Sequence, residues 1–403
     1  MASSEAHVEA DLLVVFVGPL LACFEQLAAT IGRRGVRTVW VGYPYGATRR
    51  IRARLFVDEV HNARDVDGLA QVLRRLGAAQ ITDIHASEHV LVETVAAAEA
   101  AGVGDRLLEE LRRRLRYGDK LVASRALAAA GIRVPRALDG ARITPDQAAL
   151  MLGLPLVVKG RMSNGGASVC IARSVAEAAW AAERAEDLGG VMYEEHIIGR
   201  TTSYAASYAA GGLVHHDGVY RTDRIGHDDI APPDQVHTIV NPEHLATGRA
   251  VLAAIGGSGL LNLNLLEDDS GQGWVHDLNL RPWGTVIALR EAGVDFADDY
   301  LRIHRGLEPL RAGAGMQPGV GVHIFPSAVL GAATHSLPDA LRLYLRLAPR
   351  YLRWTSPGYL VAETVRSAGI LLRDRLRRPT PAPAAPECHA EAEAAPWSAR
   401  SSA

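Results

Sequence analysis

Three predicted strands in the first hundred residues, two of them largely apolar, constrain the fold most strongly. They are LLVVFVG (12–18), VRTVWVGY (36–43) and ITDIHAS (81–87). Segments with helical spacing of apolar residues lie after or between them, at 20–35, 66–77 and 89–102. Strands that are apolar on both faces are typical of a parallel sheet that helices cover on both sides.

The first part of the chain is therefore predicted to be an α/β unit, a Rossmann-like parallel-sheet domain over residues 1–105. Its first turn, VGPLLACFE, contains no GxGxxG. That motif cradles the pyrophosphate of a dinucleotide, so the turn does not favour a dinucleotide site.

Residues 106–330 show a mixed pattern that predicts an α+β unit. A long helical stretch at 106–133 is followed by a strand at 154–160 and a helix at 174–190, which Ser174 and Glu177 begin in capping-box register. Another strand follows at 191–199. The alternating segments 201–220 and 260–280 predict two antiparallel hairpins, with a helix at 244–256 between them.

The C-terminal part is predicted to be a helical extension at 331–378 and a tail at 379–403. The helical part is fairly basic, and a packed helix is favoured over one that lies on a membrane surface. The tail is rich in Pro, Ala and Glu, so we expect it to be disordered.

Charge and cysteine usage narrow the class of protein. The net charge is −2 and the pI is about 6.7, which gives no case for nucleic-acid binding. The N-terminus carries acidic residues before a short apolar run, so neither a secretory signal nor stable membrane insertion is predicted. Three widely spaced cysteines are interpreted as free thiols of a cytoplasmic protein. Homodimer formation is left open.

Lysine is used at only two positions, Lys120 and Lys159. Lys and Arg together number 43, so 43 − 2 leaves 41 arginines. Lys159 ends the run LPLVVKG and precedes a loop of small residues at 163–168. Backbone N–H groups of such a loop can approach phosphate oxygens, and a lysine at the strand end adds a point charge. An ordinary hairpin turn explains this segment about as well when it is taken alone.

Oxygen-bearing side chains recur along the hairpin at 260–280. Asp277 and Asn279 are two residues apart, and so are Asn262 and Asn264, so each pair shares one face of its strand. Carboxylate and amide oxygens suit Mg²⁺ held together with phosphates. A polar strand edge shaped by turn-forming residues is the alternative.

Four segments in this order resemble the ATP-grasp superfamily. They are DK at 119–120, PLVVKG followed by a Gly-rich loop, EEHIIG, and NLNLLEDDSGQGWVHDLNLRPWG. The resemblance covers roughly residues 80–300, and the N-terminal region resembles the domain that precedes the ATP-grasp fold. It implies a two-subdomain ATP-grasp domain at 106–330, with a nucleotide lid at about 154–205.

The resemblance also implies roles for individual residues. ATP contacts would come from Lys120 and Lys159 at the phosphates, the loop with Ser163, Gly165 and Gly166 over them, Glu194 beside the adenine amino group, backbone groups of Glu195 and Ile197, and Thr201 at the ribose position. Mg²⁺, or Mn²⁺, would be bound by Asp277, Asn279 and Asn264. Arg281, with Lys159 and Asn279, would stabilise the transferring phosphoryl group.

Two departures from the family pattern concern these roles. Thr201 stands where many members carry an acidic residue for the ribose hydroxyls. Asn264 stands where many members carry Asp or Glu, and Asp277 stands where many members carry Glu. The smaller negative charge disfavours the binding of two metal ions.

The expected function is an ATP-dependent ligase that activates a carboxylate as an acyl phosphate and joins it to an amine. Glu88 is a candidate for contact with the amine, and Arg221 and Arg224 are candidates for a substrate carboxylate. Helix capping near Glu88 and solvated loop arginines are equally compatible with these positions. The alternatives are carboxylase-like or kinase-like ATP-grasp chemistry, a catalytically silent nucleotide-binding protein, and a membrane-associated partner protein that uses its C-terminal helices.

Overall fold

The three strands predicted at 12–18, 36–43 and 81–87 form a parallel sheet, together with a fourth strand that the sequence pattern does not predict. The computed structural model describes residues 12–19, 21–43, 48–163, 168–225, 233–310 and 314–376. The sheet has the order β3-β2-β1-β4, with every pair of strands parallel. Its elements are β1 (Leu13–Val17), α1 (Ala22–Gly32), β2 (Arg37–Gly42), α2 (Thr48–Ala53), β3 (Glu59–Asn62), α3 (Val66–Arg75), β4 (Asp83–Ala86) and α4 (Leu91–Ala101).

The helical stretch predicted at 106–133 is two helices, α5 (Asp105–Gly118) and α6 (Lys120–Ala129). The chain leaves the helical conformation at Asp119, whose carboxylate accepts hydrogen bonds from the backbone N–H groups of Leu121 and Val122 at 3.0 and 3.2 Å. Asp119 is thus the N-cap of α6. The cap places Lys120 at the first position of α6.

A small antiparallel sheet follows, with the order β5-β8-β6-β7. Ser174 caps α8 by accepting a hydrogen bond from the Glu177 N–H, as its register predicts. The first strand of this sheet, β5, lies before residue 154, where the nucleotide lid is predicted to begin. Cys170 is disulfide-bonded, so the expectation of three free thiols is wrong, whereas Cys23 is a buried free thiol. The elements are β5 (Ala137–Asp139), α7 (Pro145–Leu152), β6 (Leu156–Gly160), β7 (Cys170–Ala172), α8 (Val175–Ala185) and β8 (Val191–Glu195).

The third sheet is larger and runs in the order β13-β12-β9-β10-β11-β15. Both predicted hairpins are present, as the antiparallel pairs β9–β10 and β12–β13, and β9 also pairs with β12. The elements are β9 (Arg200–Ala209), β10 (Leu213–Ile225), β11 (Pro233–Ile239), α9 (Pro242–Ile255), β12 (Gly259–Glu267), β13 (Gly273–Asn279), α10 (Phe296–His304), β14 (Ala314–Gly315) and β15 (Gly321–His323).

Three C-terminal helices pack together. They are α11 (Ser327–His335), α12 (Leu337–Trp354) and α13 (Pro357–Leu376). Helix α11 lies against β11 of the large sheet, and α13 lies against α1 of the N-terminal domain. Phe24 of α1 belongs to the same buried cluster as Tyr351 and Tyr359. Arg52 forms ion pairs with Glu25 of α1 and Glu363 of α13. The C-terminal helices are therefore tied to α1 by apolar and ionic contacts, and the tail predicted at 379–403 lies outside the described residues.

Among the described residues, no helix combines the length and the apolar character needed to cross a membrane.

Candidate functional site

Lys120 and Asp277 are 157 positions apart in the chain and meet at the centre of the candidate site. The Lys120 ammonium donates to Asp277 Oδ1 at 2.7 Å. Burial alone would raise the pKa of Asp277, but Lys120 outweighs burial and holds this pKa well below its usual range. Burial would likewise lower the pKa of Lys120, and Asp277 raises it instead. Both groups are therefore charged at neutral pH.

Two asparagine amides complete the environment of Asp277. Asn279 and Asn264 donate from Nδ2 to Asp277 Oδ2, at 2.8 and 3.3 Å. The amide oxygen of Asn264 accepts from the Ser203 hydroxyl at 2.9 Å. Asn264, which the resemblance suggests as a metal ligand, thus faces Asp277 with its nitrogen and Ser203 with its oxygen.

The strand register explains why these side chains meet. Asn264 lies opposite Asp277 on β13 and opposite Ser203 on β9, and Ser203 lies opposite Tyr220 on β10. Residues directly opposite each other in antiparallel strands project to the same face of a sheet. This row of four residues therefore lines one face of the large sheet.

Lys159 lies on β6 and is buried with only 5% of its surface exposed. Its ammonium forms an ion pair with Glu194 of β8, which lies opposite Val157 of β6. The ammonium also donates to the carbonyl oxygen of His276 at 3.2 Å. Burial raises the pKa of Glu194, although Lys159 opposes this effect. Lys159 thus links the small sheet to β13, one residue before Asp277.

Arg281 and Glu88 form a second ion pair near this centre. Arg281 follows β13, and its Nε donates to Glu88 Oε1 at 2.7 Å. Burial would raise the pKa of Glu88, but Arg281 and then Lys120 outweigh it and lower this pKa. Among the described residues, Glu88 Oε2 is buried and has no hydrogen-bond partner.

A cavity of about 20 Å³ adjoins this ion pair, enough room for one water molecule. His85, Glu88, Arg114 and Arg281 are among the residues that line it. Cys23 also contacts Arg281, with its Sγ 4.0 Å from a guanidinium nitrogen. Burial raises the pKa of this thiol, so Cys23 is protonated at neutral pH.

The expected nucleotide loop is described only in part. Ser163 is buried, and its hydroxyl donates to the Gly160 carbonyl oxygen at 2.8 Å. Gly165 and Gly166 lie outside the described residues. Arg161, between β6 and the loop, forms an ion pair with the α6 cap Asp119 at 2.5 Å. The start of the loop and the start of α6 are therefore fastened to each other.

The residues expected at the adenine and ribose lie along the end of β8 and the start of β9. The N–H of Glu195 donates to the carbonyl oxygen of Arg136 at 2.9 Å, and the Arg136 guanidinium contacts the Glu195 carboxylate at 3.2 Å. Ile197 lies in the connection between the two strands and is half-buried. Thr201 lies two residues before Ser203 on β9 and so shares its face.

Of the two candidate substrate arginines, Arg221 is not brought to Asp277, and the side chain of Arg224 lies outside the described part of the structure. Arg221 lies opposite Thr202 on β9, which lies opposite Leu265 on β12. This register places Arg221 on the face of the sheet opposite to the row that contains Asp277. Arg224 lies farther along β10, opposite Gln235.

Three contributors were missed at the level of sequence. Ser203 orients Asn264, the His276 carbonyl receives Lys159, and Asp119 both caps α6 and holds Arg161. Only Asp119 carried a local signal, because an Asp directly before a helical pattern predicts an N-cap. Within the described residues, no group of three or more His, Cys, Asp and Glu could hold a metal ion.

Comparison with solved structures shows which fold this is. The chain is similar to N5-carboxyaminoimidazole synthetase from Staphylococcus aureus complexed with ADP, with 13% identity, a TM-score of 0.63 and coverage of 82% of this chain and 86% of the other. L-amino acid ligase from Bacillus licheniformis has 16% identity, a TM-score of 0.55 and coverage of 75% of each chain. The chain has an ATP-grasp fold.

A third solved structure adds to this finding. The biotin carboxylase domain dimer of 2-oxoglutarate carboxylase from Hydrogenobacter thermophilus has 17% identity, a TM-score of 0.56 and coverage of 74% of this chain and 71% of the other. No protein-family model matches the sequence, and no curated protein does either. In this ATP-grasp fold, the small sheet carries Lys159 and Glu194, and the large sheet carries Asp277 and its neighbours.

Proposed function

We propose that the protein is an ATP-dependent carboxylate–amine ligase. The observation that carries the proposal is the convergence of both lysines of the chain on one site. Lys120 contacts Asp277, and Lys159 reaches the strand residue immediately before it. Two ammonium groups at one anionic centre suit a polyphosphate, because phosphoryl transfer needs positioning and charge neutralisation above all.

The residues around Asp277 fit Mg²⁺ or Mn²⁺ that is shared with nucleotide phosphates. Asp277 supplies one ionised carboxylate, and Asn279 turns its amide nitrogen toward that carboxylate, so its amide oxygen is the atom that would face a cation. A site with one carboxylate suits Mg²⁺, which is usually bound by one or two carboxylates, water and phosphates. The bound ion would neutralise phosphate charge. Asn264 would then position Asp277 through its amide nitrogen.

The proposed reaction has two steps. An oxygen of the substrate carboxylate attacks the γ-phosphorus of ATP, the bond to the β-phosphate oxygen breaks, and ADP and an acyl phosphate form. The amine nitrogen then attacks the acyl carbon, phosphate leaves, and the amine proton passes to a base or to solvent. Lys120, Lys159 and Arg281 would hold the negative oxygens through these steps.

Glu88 is proposed to contact the amine. One oxygen of Glu88 is held by Arg281, and the other has no hydrogen-bond partner among the described residues. Its lowered pKa keeps the carboxylate ionised, as is needed to accept hydrogen bonds from an ammonium or amine. The names of the similar structures include an amino acid ligase, which supports amino acids as the first class of substrate to test.

The second candidate is a nucleotide-binding protein without turnover. Its specific support is Asn264, because this amide brings no charge to the metal site and its oxygen is occupied by Ser203. Carboxylase-like chemistry is a further alternative within the same fold. We propose small-molecule substrates, a cytoplasmic location and no nucleic-acid partner for each of these functions, and a homodimer is compatible with them.

The experiment is a product screen with purified protein, Mg-ATP and pairs of amino acids, with phosphate release and mass spectrometry as readouts. We expect ADP, phosphate and a condensation product one water lighter than the two substrates together. Lys159→Ala should abolish the product, and Arg342→Ala, which is exposed on α12 and pairs only with Asp339 in the described part of the chain, should leave it unchanged. ATP binding by calorimetry without any product would support the silent alternative, and phosphate release unaffected by Lys159→Ala would refute both.

A further inference from the structure

Helix α12 leaves an apolar stripe in solvent. One side of the helix is buried against the rest of the protein through Ala340, Leu347, Ala348 and Tyr351. Beside this buried face, the helix exposes four leucines, whose spacing of four, four and seven residues puts them on one stripe. Their exposed fractions are 46% for Leu337, 59% for Leu341, 64% for Leu345 and 40% for Leu352.

Helix α13 extends this surface. Val361 and Val365 are one helical turn apart and are 55% and 67% exposed. The Tyr344 and Thr364 hydroxyls join the two helices at 2.9 Å. Tyr344 lies one turn from Leu341, and Thr364 lies one turn from Val361. The leucines of α12 and the valines of α13 therefore both border the contact between these two helices. We call this surface the Leu–Val patch; it consists of Leu337, Leu341, Leu345, Leu352, Val361 and Val365.

The patch has a basic edge. Arg342, Arg346 and Arg353 are exposed and lie about 100° around α12 from the leucine stripe, one turn and then two turns apart. Asp339 is the single acidic residue in the sequence of α12, and it already pairs with Arg342 at 2.9 Å. The edge therefore carries excess positive charge beside exposed aliphatic side chains.

This charge pattern decides between two occupants of the patch. A second copy of the chain would present another α12 with the same arginines and one acidic residue that is already paired, so the arginines would find no carboxylate partner there. A surface that carries anionic groups above an apolar layer matches both halves of the patch. Helices with leucines beside arginines bind at such an interface by burying their apolar face near the headgroups.

We propose that the Leu–Val patch and its basic edge dock the protein on an anionic phospholipid surface, without insertion across the bilayer. The patch lies on the C-terminal helices, and none of its residues belongs to the candidate site at Asp277. Binding to lipid therefore does not depend on the proposed ligase function and is measured without nucleotide or substrates.

The test is vesicle flotation of the full chain. Vesicles contain phosphatidylcholine alone or with 30% phosphatidylglycerol. We expect the wild type to float with the anionic vesicles and to remain in solution with the neutral ones. Leu341→Ser/Leu345→Ser should reduce the bound fraction by about tenfold or more, since both side chains lose their transfer free energy.

Charge reversal tests the basic edge separately. Arg346→Glu/Arg353→Glu should weaken binding to the anionic vesicles by about 30-fold, since each arginine near an anionic surface contributes about fivefold. The matched controls are Leu150→Ser, whose side chain is 88% exposed on α7, and Arg125→Glu/Arg142→Glu, both exposed and distant from the patch. The controls should bind like the wild type.

Three results would overturn the proposal. The first is failure of the wild-type protein to bind anionic vesicles. The second is equal loss of binding in the patch variants and in their matched controls. The third is light scattering that shows a dimer which Leu341→Ser/Leu345→Ser dissociates, since the patch would then be an interface between two copies.

Discussion

The buried ion pair between Lys159 and Glu194 allows a quantitative test of the site. Both residues are at least 95% buried, and Lys159 also binds the His276 carbonyl oxygen. Removing one partner of a buried pair leaves the other charge without compensation, which costs about 3–5 kcal/mol. We expect about 3 kcal/mol for Lys159→Met, because Glu194 can reduce the loss by taking up a proton.

A double-mutant cycle isolates the pair. Glu194→Gln should also destabilise the protein by about 2–3 kcal/mol, because it leaves the lysine buried without its counter-ion. The double variant Lys159→Met/Glu194→Gln should lose less than the sum of the two, by about 2 kcal/mol, because neither charge then remains. Urea unfolding followed by circular dichroism at pH 7 measures all four proteins.

The dependence on pH supplies a second readout. The pKa of Glu194 is raised by burial, so its folded-state pKa exceeds its unfolded value. The contribution of such a group is fully present below the unfolded pKa of about 4.3 and is lost as the pH rises through the folded pKa. Lys159→Met raises that folded pKa further, so the variant should regain stability relative to the wild type at pH 5. The ion-pair account would be refuted if the double variant lost the sum of the two single losses of stability within about 0.5 kcal/mol and Lys159→Met regained no stability at pH 5.

Three further changes test other parts of the structure. Asp277→Asn should bind ATP at least about tenfold more weakly than the wild type in the presence of Mg²⁺, as measured by calorimetry, because the variant lacks the ionised carboxylate of the site. Equal affinity of the wild type for ATP with and without Mg²⁺ would contradict this prediction. The hydrogen bond with Asp299 raises the pKa of His216 above 6.5. The contribution of His216 to stability should therefore be fully present below about pH 6.5 and be lost as the pH rises through the folded pKa. In thermal unfolding, His216→Gln should flatten this part of the dependence of stability on pH. Gly358→Ala should lower stability by about 2 kcal/mol or more, since its Cβ would overlap a backbone oxygen of the N-terminal domain, whereas Gly369→Ala, in an open part of the same helix, should be neutral or stabilising in the same urea titration.

Much of the architecture could be predicted from the sequence because it depends on local patterns. The continuous apolar runs, such as Leu13–Val17, require a sheet covered on both faces, and the parallel N-terminal sheet follows from them. The capping register of Ser174 placed the start of α8. The use of lysine at positions 120 and 159 alone pointed to both lysines of the candidate site.

The partners of these residues depend on contacts between distant parts of the chain. Lys120 meets Asp277 across 157 positions, and Arg281 meets Glu88 across 193. No periodicity carries such information, because it arises only when the sheets pack against one another. The same holds for the orientation of Asn264, which the Ser203 hydroxyl determines from the neighbouring strand.

The contrast between Arg281 and Arg221 shows where sequence stops and tertiary structure begins. Both are arginines near strand ends or hairpins, and the sequence assigned both to the site. Strand register puts Arg221 on the far face of the large sheet, since a shift of one residue along a strand reverses the direction of a side chain. The sequence by itself determined the residue types and local elements that the candidate site uses. Only the packed sheets decided which of those side chains face one another, because charges and hydrogen bonds act over a few ångströms in space and not along the chain.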